Sequence, residues 1–264
     1  MCTETKKRHV QWPPPSYSCL LSLIRRHDQV GAALKKVIPS VVRREELFIT
    51  SKLWNDAHRP SEVERQLDAT LSQLGISYLD LYLIHWPVAF VPGRGMNPTR
   101  ASHPDEVEID MDTSVVDTWK AMLALRNTGK VKAVGVSNFT IRHLEAIIEA
   151  TGVPPAVNQI EAHPLLLQDD LLEYCKKQAI HLTAYSPLGH NREWGRVGIN
   201  DIVLKTRTVQ GKKMLVDYPE AKEVAERLGV TAAQVLVAWG VSRGCSVIPK
   251  SVNKGKCPMP RLSE

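Results

Sequence analysis

The sequence predicts an α/β fold, a parallel sheet closed as a (β/α) barrel, and three observations carry the prediction. Six short apolar segments each close on polar or titratable groups, as in a barrel that collects its chemistry at the C-terminal ends of its strands. Helical periodicities fill the intervals between those segments, so strands and helices alternate. The length of 264 residues and the apolar content of 43% suit one such domain with a large core. An open doubly wound sheet is the structural alternative, but no Gly-x-Gly-x-x-Gly opens any of the helices.

The first apolar segment runs from Leu47 to Thr50 and ends in Ser51 and Lys52. Val63, Leu67, Leu71 and Leu74 then fall at helical spacing, and Ser61 with Glu64 is expected to form a capping box at that helix's start. The second segment, Leu81 to Ile84, stops abruptly at His85, Trp86 and Pro87. A lone histidine after a strand is ordinarily a packing residue. Here it repeats the layout of the segment before it, so it reads as part of a mouth. A helix is expected over Asp117–Leu125, and a strand over Val131–Val136 that ends in Ser137 and Asn138. Ile141–Ala150 reads as helix, and Val157–Ile160 as a strand that carries Gln159 and leads into Glu161 and His163. Asp169–Lys177 reads as helix, and His181–Ala184 as a strand ending in Tyr185 and Ser186. The last pair is a helix over Pro219–Leu228 and a strand over Ser246–Ile248 that leads through Pro249 to Lys250 and Ser251.

Composition excludes several function classes. No apolar run approaches the ~18–20 residues of a membrane span, and the stretch Cys19–Ile24 is too short and too late for a secretory leader. The 5 cysteines are scattered, without metal spacing, which places the chain in a reducing, cytoplasmic setting. The formal charge of +6 is concentrated in residues 1–26, 191–213 and 251–264, where periodicity fails, and the regular body is acidic. A nucleic-acid surface would sit on ordered elements with aromatic partners, so neither nucleic acid nor membrane is an expected partner.

Read together, the motifs resemble those of the aldo-keto reductases. They are Phe48–Trp54, Leu79–Pro87, Gly129–Phe139, Asn158–Glu161, Tyr185–Gly189 and Ile248–Ser251. The similarity is to the fungal glycerol dehydrogenase and aldehyde reductase-like members, and it runs from about Asp28 to Gly189 and from Met214 to Val252. The resemblance implies a (β/α)8 TIM barrel over residues 28–252 with an insertion at about 191–213, flanked by an atypical, poorly ordered segment 1–27 and an atypical tail 253–264. It implies a monomer that uses NADPH, without metal or flavin, to reduce small aldehydes or ketones. In that family a tyrosine protonates the carbonyl oxygen, a lysine ammonium lowers the tyrosine's pKa, and an aspartate holds the lysine. Lys52 matches the lysine, and His85 the histidine that orients the carbonyl. Ser137, Asn138 and Gln159 match the partners of the nicotinamide carboxamide, and Tyr185 the ring on which the nicotinamide stacks. Ser186, Leu188 and Gly189 resemble the pyrophosphate loop. Lys250 and Ser251 match the 2′-phosphate site that selects NADPH over NADH. Trp54 and Trp86, with His85, resemble walls of the substrate pocket.

The sequence also departs from the family. At the upstream spacing the family uses, Leu23 or Ile24 stands in the tyrosine's place and Ser18 or Cys19 in the aspartate's. Tyr17 is the one upstream tyrosine, and no aspartate precedes Asp28. The family's first two strands and last helix have no recognisable counterpart, so the barrel is expected to be incomplete. The altered start, the insertion and the altered end, all basic, are what mis-spliced or mis-predicted exons would give. Two readings stand: an NADPH-dependent carbonyl reductase by descent, whether or not this chain is active, or a non-catalytic relic that binds nucleotide or a partner or does not fold alone.

Overall fold

The computed structural model describes residues 27–100, 103–189, 192–196, 203–208 and 214–249. In chain order, α1 (His27–Val37), β1 (Thr50–Leu53), α2 (Pro60–Leu74) and β2 (Leu79–Ile84) come first. A small antiparallel pair follows, β3 (Thr99–Arg100) with β4 (His103–Val107). The alternation resumes with α3 (Val115–Ala124), β5 (Val131–Ser137), α4 (Ile141–Thr151), β6 (Val157–Glu161), α5 (Asp169–Lys177) and β7 (His181–Tyr185). A second antiparallel pair, β8 (Arg192–Arg196) with β9 (Val203–Thr208), precedes α6 (Pro219–Leu228), α7 (Ala232–Ser242) and β10 (Ser246–Ile248).

All six predicted strands lie in one sheet, in the order β1-β2-β5-β6-β7-β10, and every pairing is parallel. Parallel neighbours in chain order, joined through helices, are the (β/α) crossover pattern. Among the described residues β1 and β10 are the two edges, so the barrel is incomplete, as expected.

Period-two alternation sorts the strand side chains between two cores. Tyr82, Ile84, Val134, Val136 and Ile160 point outward and pack with Leu67 and Leu74 of α2, Trp119 and Met122 of α3, and Leu144 and Ile147 of α4. Leu81, Leu83 and Val157 point the other way and form a separate small cluster with Phe48, Ala133 and Ala156. That inner cluster is the floor of the barrel interior. Gly135 pairs with Leu83 in register, and a β-carbon there would lie 2.6 Å from the Val157 carbonyl oxygen and 2.8 Å from Leu83 Cδ2. The strands approach as they do because position 135 has no side chain.

The N-terminal ends of the strands are held by charge. The buried Asp80 carboxylate accepts from Arg44 Nη2 at 2.9 Å, Lys132 Nζ at 2.8 Å and the Ile49 amide at 2.9 Å. Tyr78 lies between the same two cations, 3.9 Å from Arg44 and 4.4 Å from Lys132.

Several details differ from the sequence expectations. The helix over 60–74 starts with Pro60 at its first position after Arg59, so the Ser61–Glu64 capping box does not form. Proline needs no partner for a backbone donor it lacks, and it displaced the start by the residues the box would have used. His27, assigned above to the atypical leading segment, opens α1 and is buried against Ser51 and Gln73. The 191–213 region, in which no periodicity was legible, carries the β8–β9 hairpin. Residues 1–26, Tyr17 included, and the tail 253–264, with the expectations placed on them, lie outside the described residues. No single helix among the described residues is long and apolar enough to cross a membrane.

Replacing Gly135 by alanine is expected to cost about 1–3 kcal/mol, because the Val157 carbonyl oxygen, which cannot swing aside as the Leu83 side chain can, blocks the added methyl. Urea denaturation followed by far-ultraviolet circular dichroism checks it. An unchanged midpoint would mean that the strands separate freely at this point.

Candidate active site

Strand register brings the predicted residues together. Lys52 pairs with Leu83, and His85 lies two residues beyond Leu83, so both side chains belong to the inner face at the C-terminal end of the sheet. The His85 amide continues the ladder by donating to the Leu53 carbonyl at 3.1 Å. Trp54 meets the His85 ring edge-on with centroids 5.0 Å apart, and Trp86 lies nearly parallel to it at 6.2 Å. The Trp54 indole N–H donates to the Met96 carbonyl at 2.7 Å, which fixes that wall. Further along the sheet Ser137 pairs with Gln159, and Glu161 pairs with Tyr185.

Asn138 ties these strand ends into one unit. Its Nδ2 donates to the His85 carbonyl at 2.9 Å and to Ser137 Oγ at 3.2 Å, while its Oδ1 accepts from the Tyr185 hydroxyl at 2.8 Å. Ser137 Oγ in turn donates to the Gln159 carbonyl at 2.8 Å. Asn138 sits at φ 64° and Ser186 at φ 49°, left-handed conformations that asparagine tolerates and serine rarely adopts. The chain turns sharply after Ser186, whose carbonyl accepts from the Gly189 amide at 2.8 Å, and the half-buried Leu188 lies within that turn. Lys250 and Ser251 lie outside the described residues.

Burial sets the electrostatics. It holds the Lys52 ammonium down at about 7. Burial likewise drives His85 well below the ordinary imidazole value, and the neighbouring Lys52 and His58 charges add to it. His58 is fully enclosed and falls to about 3 for the same reason. Burial, then the Glu161 carboxylate, raise the Tyr185 phenol. A drying mouth thus disfavours cations at physiological pH.

Several buried polar atoms have no hydrogen-bond partner among the described residues, among them both amide atoms of Gln159 and Nδ1 of His85. Gln159 is 1% exposed, so its open donor and acceptor call for a ligand or water. The two amide atoms of Gln159, with the spare lone pairs of Ser137 Oγ and Asn138 Oδ1, fit a carboxamide, and the Tyr185 ring beside them is held by its own hydroxyl. The residues present therefore fit a nicotinamide. A cleft of about 250 Å³ opens alongside, lined by Trp86, Asn138, Phe139, Glu161, Leu166 and Tyr185. The larger cleft, about 620 Å³ between α1 and the end of α2, contains none of the predicted site residues.

Two polar groups at this end were missed in the sequence. Asn55 and His58 follow Trp54 directly, yet both are buried, with the Asn55 amide and His58 Nε2 unpartnered. The one available signal was polar residues immediately past a strand end. Glu161 and His163, noted as following the strand, form a buried pair at 3.2 Å.

Comparison with known proteins agrees with the fold. A family model described as the aldo/keto reductase family matches residues 26–257. A D/L-glyceraldehyde reductase of Hypocrea jecorina is 48% identical over 245 residues, which cover 90% of this chain and 68% of the relative. The aldo-keto reductase family 4 member C11 of Arabidopsis thaliana is 41% identical over 86% of this chain and 65% of its own length. The chain thus spans about two thirds of these relatives. The aldose reductase of Schistosoma japonicum superposes with a TM-score of 0.76 at 34% identity, covering 90% of this chain and 70% of that one.

Lys52 makes the stability depend on alkaline pH. Between about pH 7 and the ordinary lysine range the unfolded chain holds a proton on Lys52 that the folded chain has released, so this group's contribution rises with pH there. The buried thiols Cys175 and Cys245, both raised by burial, work in the opposite direction. Urea midpoints at pH 7 and pH 9 are therefore expected to rise for the unmodified chain relative to Lys52→Met, in which the thiol effects cancel. A parallel pair of pH profiles would show that Lys52 is charged in the fold.

Proposed function

Because this chain belongs to the aldo/keto reductase family, we propose that it binds NADPH and a small aldehyde or ketone at this mouth and reduces the carbonyl to an alcohol. The supporting observation is the convergence of Lys52, His85, Ser137, Asn138, Gln159 and Tyr185 on one end of one sheet, with the Gln159 amide left open. When bound, the nicotinamide supplies the hydride. Gln159 and Ser137 hold its carboxamide, and Tyr185, locked by Asn138, presents a flat ring for stacking. Lys250 and Ser251 hold the 2′-phosphate, and Ser186 and Leu188 belong to the loop over the pyrophosphate.

On the substrate side, Trp54 and Trp86 wall the pocket and His85 donates to the carbonyl oxygen. Burial keeps His85 neutral, which suits a hydrogen-bond donor rather than an acid. A donor aimed at a developing alkoxide contributes most in a water-poor site. Lys52 adds positive character to the same corner when protonated. The proton itself is the weak link, because the chain has no tyrosine at the family's spacing and Tyr17 lies outside the described residues. Without a positioned donor the loss is about 100- to 10,000-fold. We therefore assign nucleotide and carbonyl binding with slow turnover. The buried thiols Cys175 and Cys245 fit a reducing, cytosolic setting.

Glyceraldehyde is the probe of choice, since the Hypocrea jecorina relative is described as reducing it. NADPH oxidation by the full chain is expected to be slow, and His85→Ala to lower kcat/KM by about 100- to 1,000-fold. Rapid turnover would show that another group donates the proton. Turnover unaffected by His85→Ala would remove the histidine from the site. In nucleotide titrations followed by fluorescence, NADPH is expected to bind more tightly than NADH, and Lys250→Ala to erase the difference. Binding without turnover would favour the non-catalytic reading.

A further inference from the structure

We propose that the cleft between α1 and the end of α2 binds a small amphipathic monoanion, a carboxylate on an apolar chain. The cleft shares Arg44 with the Asp80 cluster at the N-terminal ends of the strands, so the inference does not rest on the reductase reading.

The lining carries the argument. A volume of about 620 Å³ is that of an ordinary small-molecule site. Leu34 of α1 and Leu74 of α2, both buried, form an apolar floor, and the half-buried Ile38 and Ile76 flank it. Lys35 and Arg44 line the same cleft, and among the described residues no carboxylate does.

The two cations play different parts. Lys35 is exposed in the last turn of α1, and no ion pair engages it among the described residues, so its ammonium is available at the rim. Arg44 is fixed in place, with its side chain 11% exposed. Its Nη1 donates to the Leu47 carbonyl at 2.7 Å and its Nη2 to the Tyr78 carbonyl at 2.8 Å. Its Nε is buried with no acceptor among the described residues, an unspent donor behind the cleft wall. Asp80 does not cancel this charge, because that one carboxylate is shared by two cations, Arg44 and Lys132.

Neutral donors complete the set. Gln73 Oε1 accepts from His27 Nδ1 at 3.1 Å, which leaves the Gln73 amide N–H groups for a ligand. The hydroxyls of Ser72 and Ser77 belong to the same lining. The unfavourable feature is the negative end of α2, and it is covered. The Leu71 carbonyl accepts from the Gly75 and Ile76 amides. Gly31, where a β-carbon would lie 2.2 Å from the Gln73 carbonyl oxygen, lets α1 sit directly on that carbonyl. What remains is a positive, donor-rich rim over an apolar floor, the complement of a carboxylate with an apolar chain.

Octanoate is the probe, titrated into the full chain while isoleucine methyl groups are followed by NMR. A Kd on the order of 0.1–1 mM is expected. Shifts are expected at Ile38 and Ile76 but not at Ile160, which lines the cleft beside Tyr185. Octanol, with the same chain and no charge, is expected to bind about 10-fold more weakly. Lys35→Gln should weaken octanoate about 3- to 10-fold, and Ser77→Asp at least about 10-fold, with octanol binding and circular dichroism unchanged. NADPH and glyceraldehyde are expected to leave the octanoate affinity as it is. Octanol binding as tightly as octanoate, an affinity indifferent to both substitutions, or shifts confined to Ile160 would each overturn the proposal. So would the absence of any shift up to about 10 mM octanoate. Failure of the reductase reading is separate, since it would show as absent NADPH oxidation with octanoate binding intact.

Discussion

Hydrogen-bonded register between parallel strands is the constraint on which the rest of this molecule depends. Side chains alternate along a strand, so a slip of one residue would carry Lys52, Gln159 and Tyr185 to the helix side and bring Tyr82 and Ile84 inward. The ladder fixes Lys52 to Leu83, Leu83 to Gly135 and Ser137 to Gln159. Gly135 is a tight point of that ladder, where the Val157 carbonyl and the Leu83 side chain leave no room for a methyl. The outer leucines and Trp119 then have one arrangement in which they are all covered.

The chemistry of the mouth follows from that same geometry through dielectric. Strand ends that converge bring polar groups together, and the walls of Trp54, Trp86 and Phe139 remove water from among them. Lys52, His58 and His85 lose their preference for charge as a result. Asn138 offsets part of the cost by satisfying three strand ends at once, through His85, Ser137 and Tyr185. The polar atoms that stay open, those of Gln159 above all, lie where a ligand has something to complete.

The strands were legible in the sequence because each is a short apolar run closed by groups that do not belong in a core. The helices were legible wherever one face is polar, and α5 and α6 begin and end at the residues their periodicity gives. Helix α7 escaped notice because Ala232–Ser242 is apolar on nearly every side, so no period marks it. Proline at the first position moved the start of α2 away from the capping signal in Ser61 and Glu64. Within the site, Lys52, His85 and Tyr185 announced themselves by ending strands. Asn55 and His58 did not, since nothing local tells a buried loop polar group from an exposed one.

The Asp80 cluster lies at the opposite pole from this chemistry, and its position has an evolutionary consequence. Arg44, Lys132 and Asp80 clamp the N-terminal ends of β1, β2 and β5, while every reactive group sits at the other ends. Anchorage and reactivity thus occupy separate residues, so a change in one need not be bought with the other. Loops at the reactive pole are free to be lengthened, shortened or exchanged while the anchored pole keeps the strands aligned. The scaffold is in that sense a fixed stem carrying replaceable tips, and new substrate preferences can be grafted onto it without renegotiating how the chain folds.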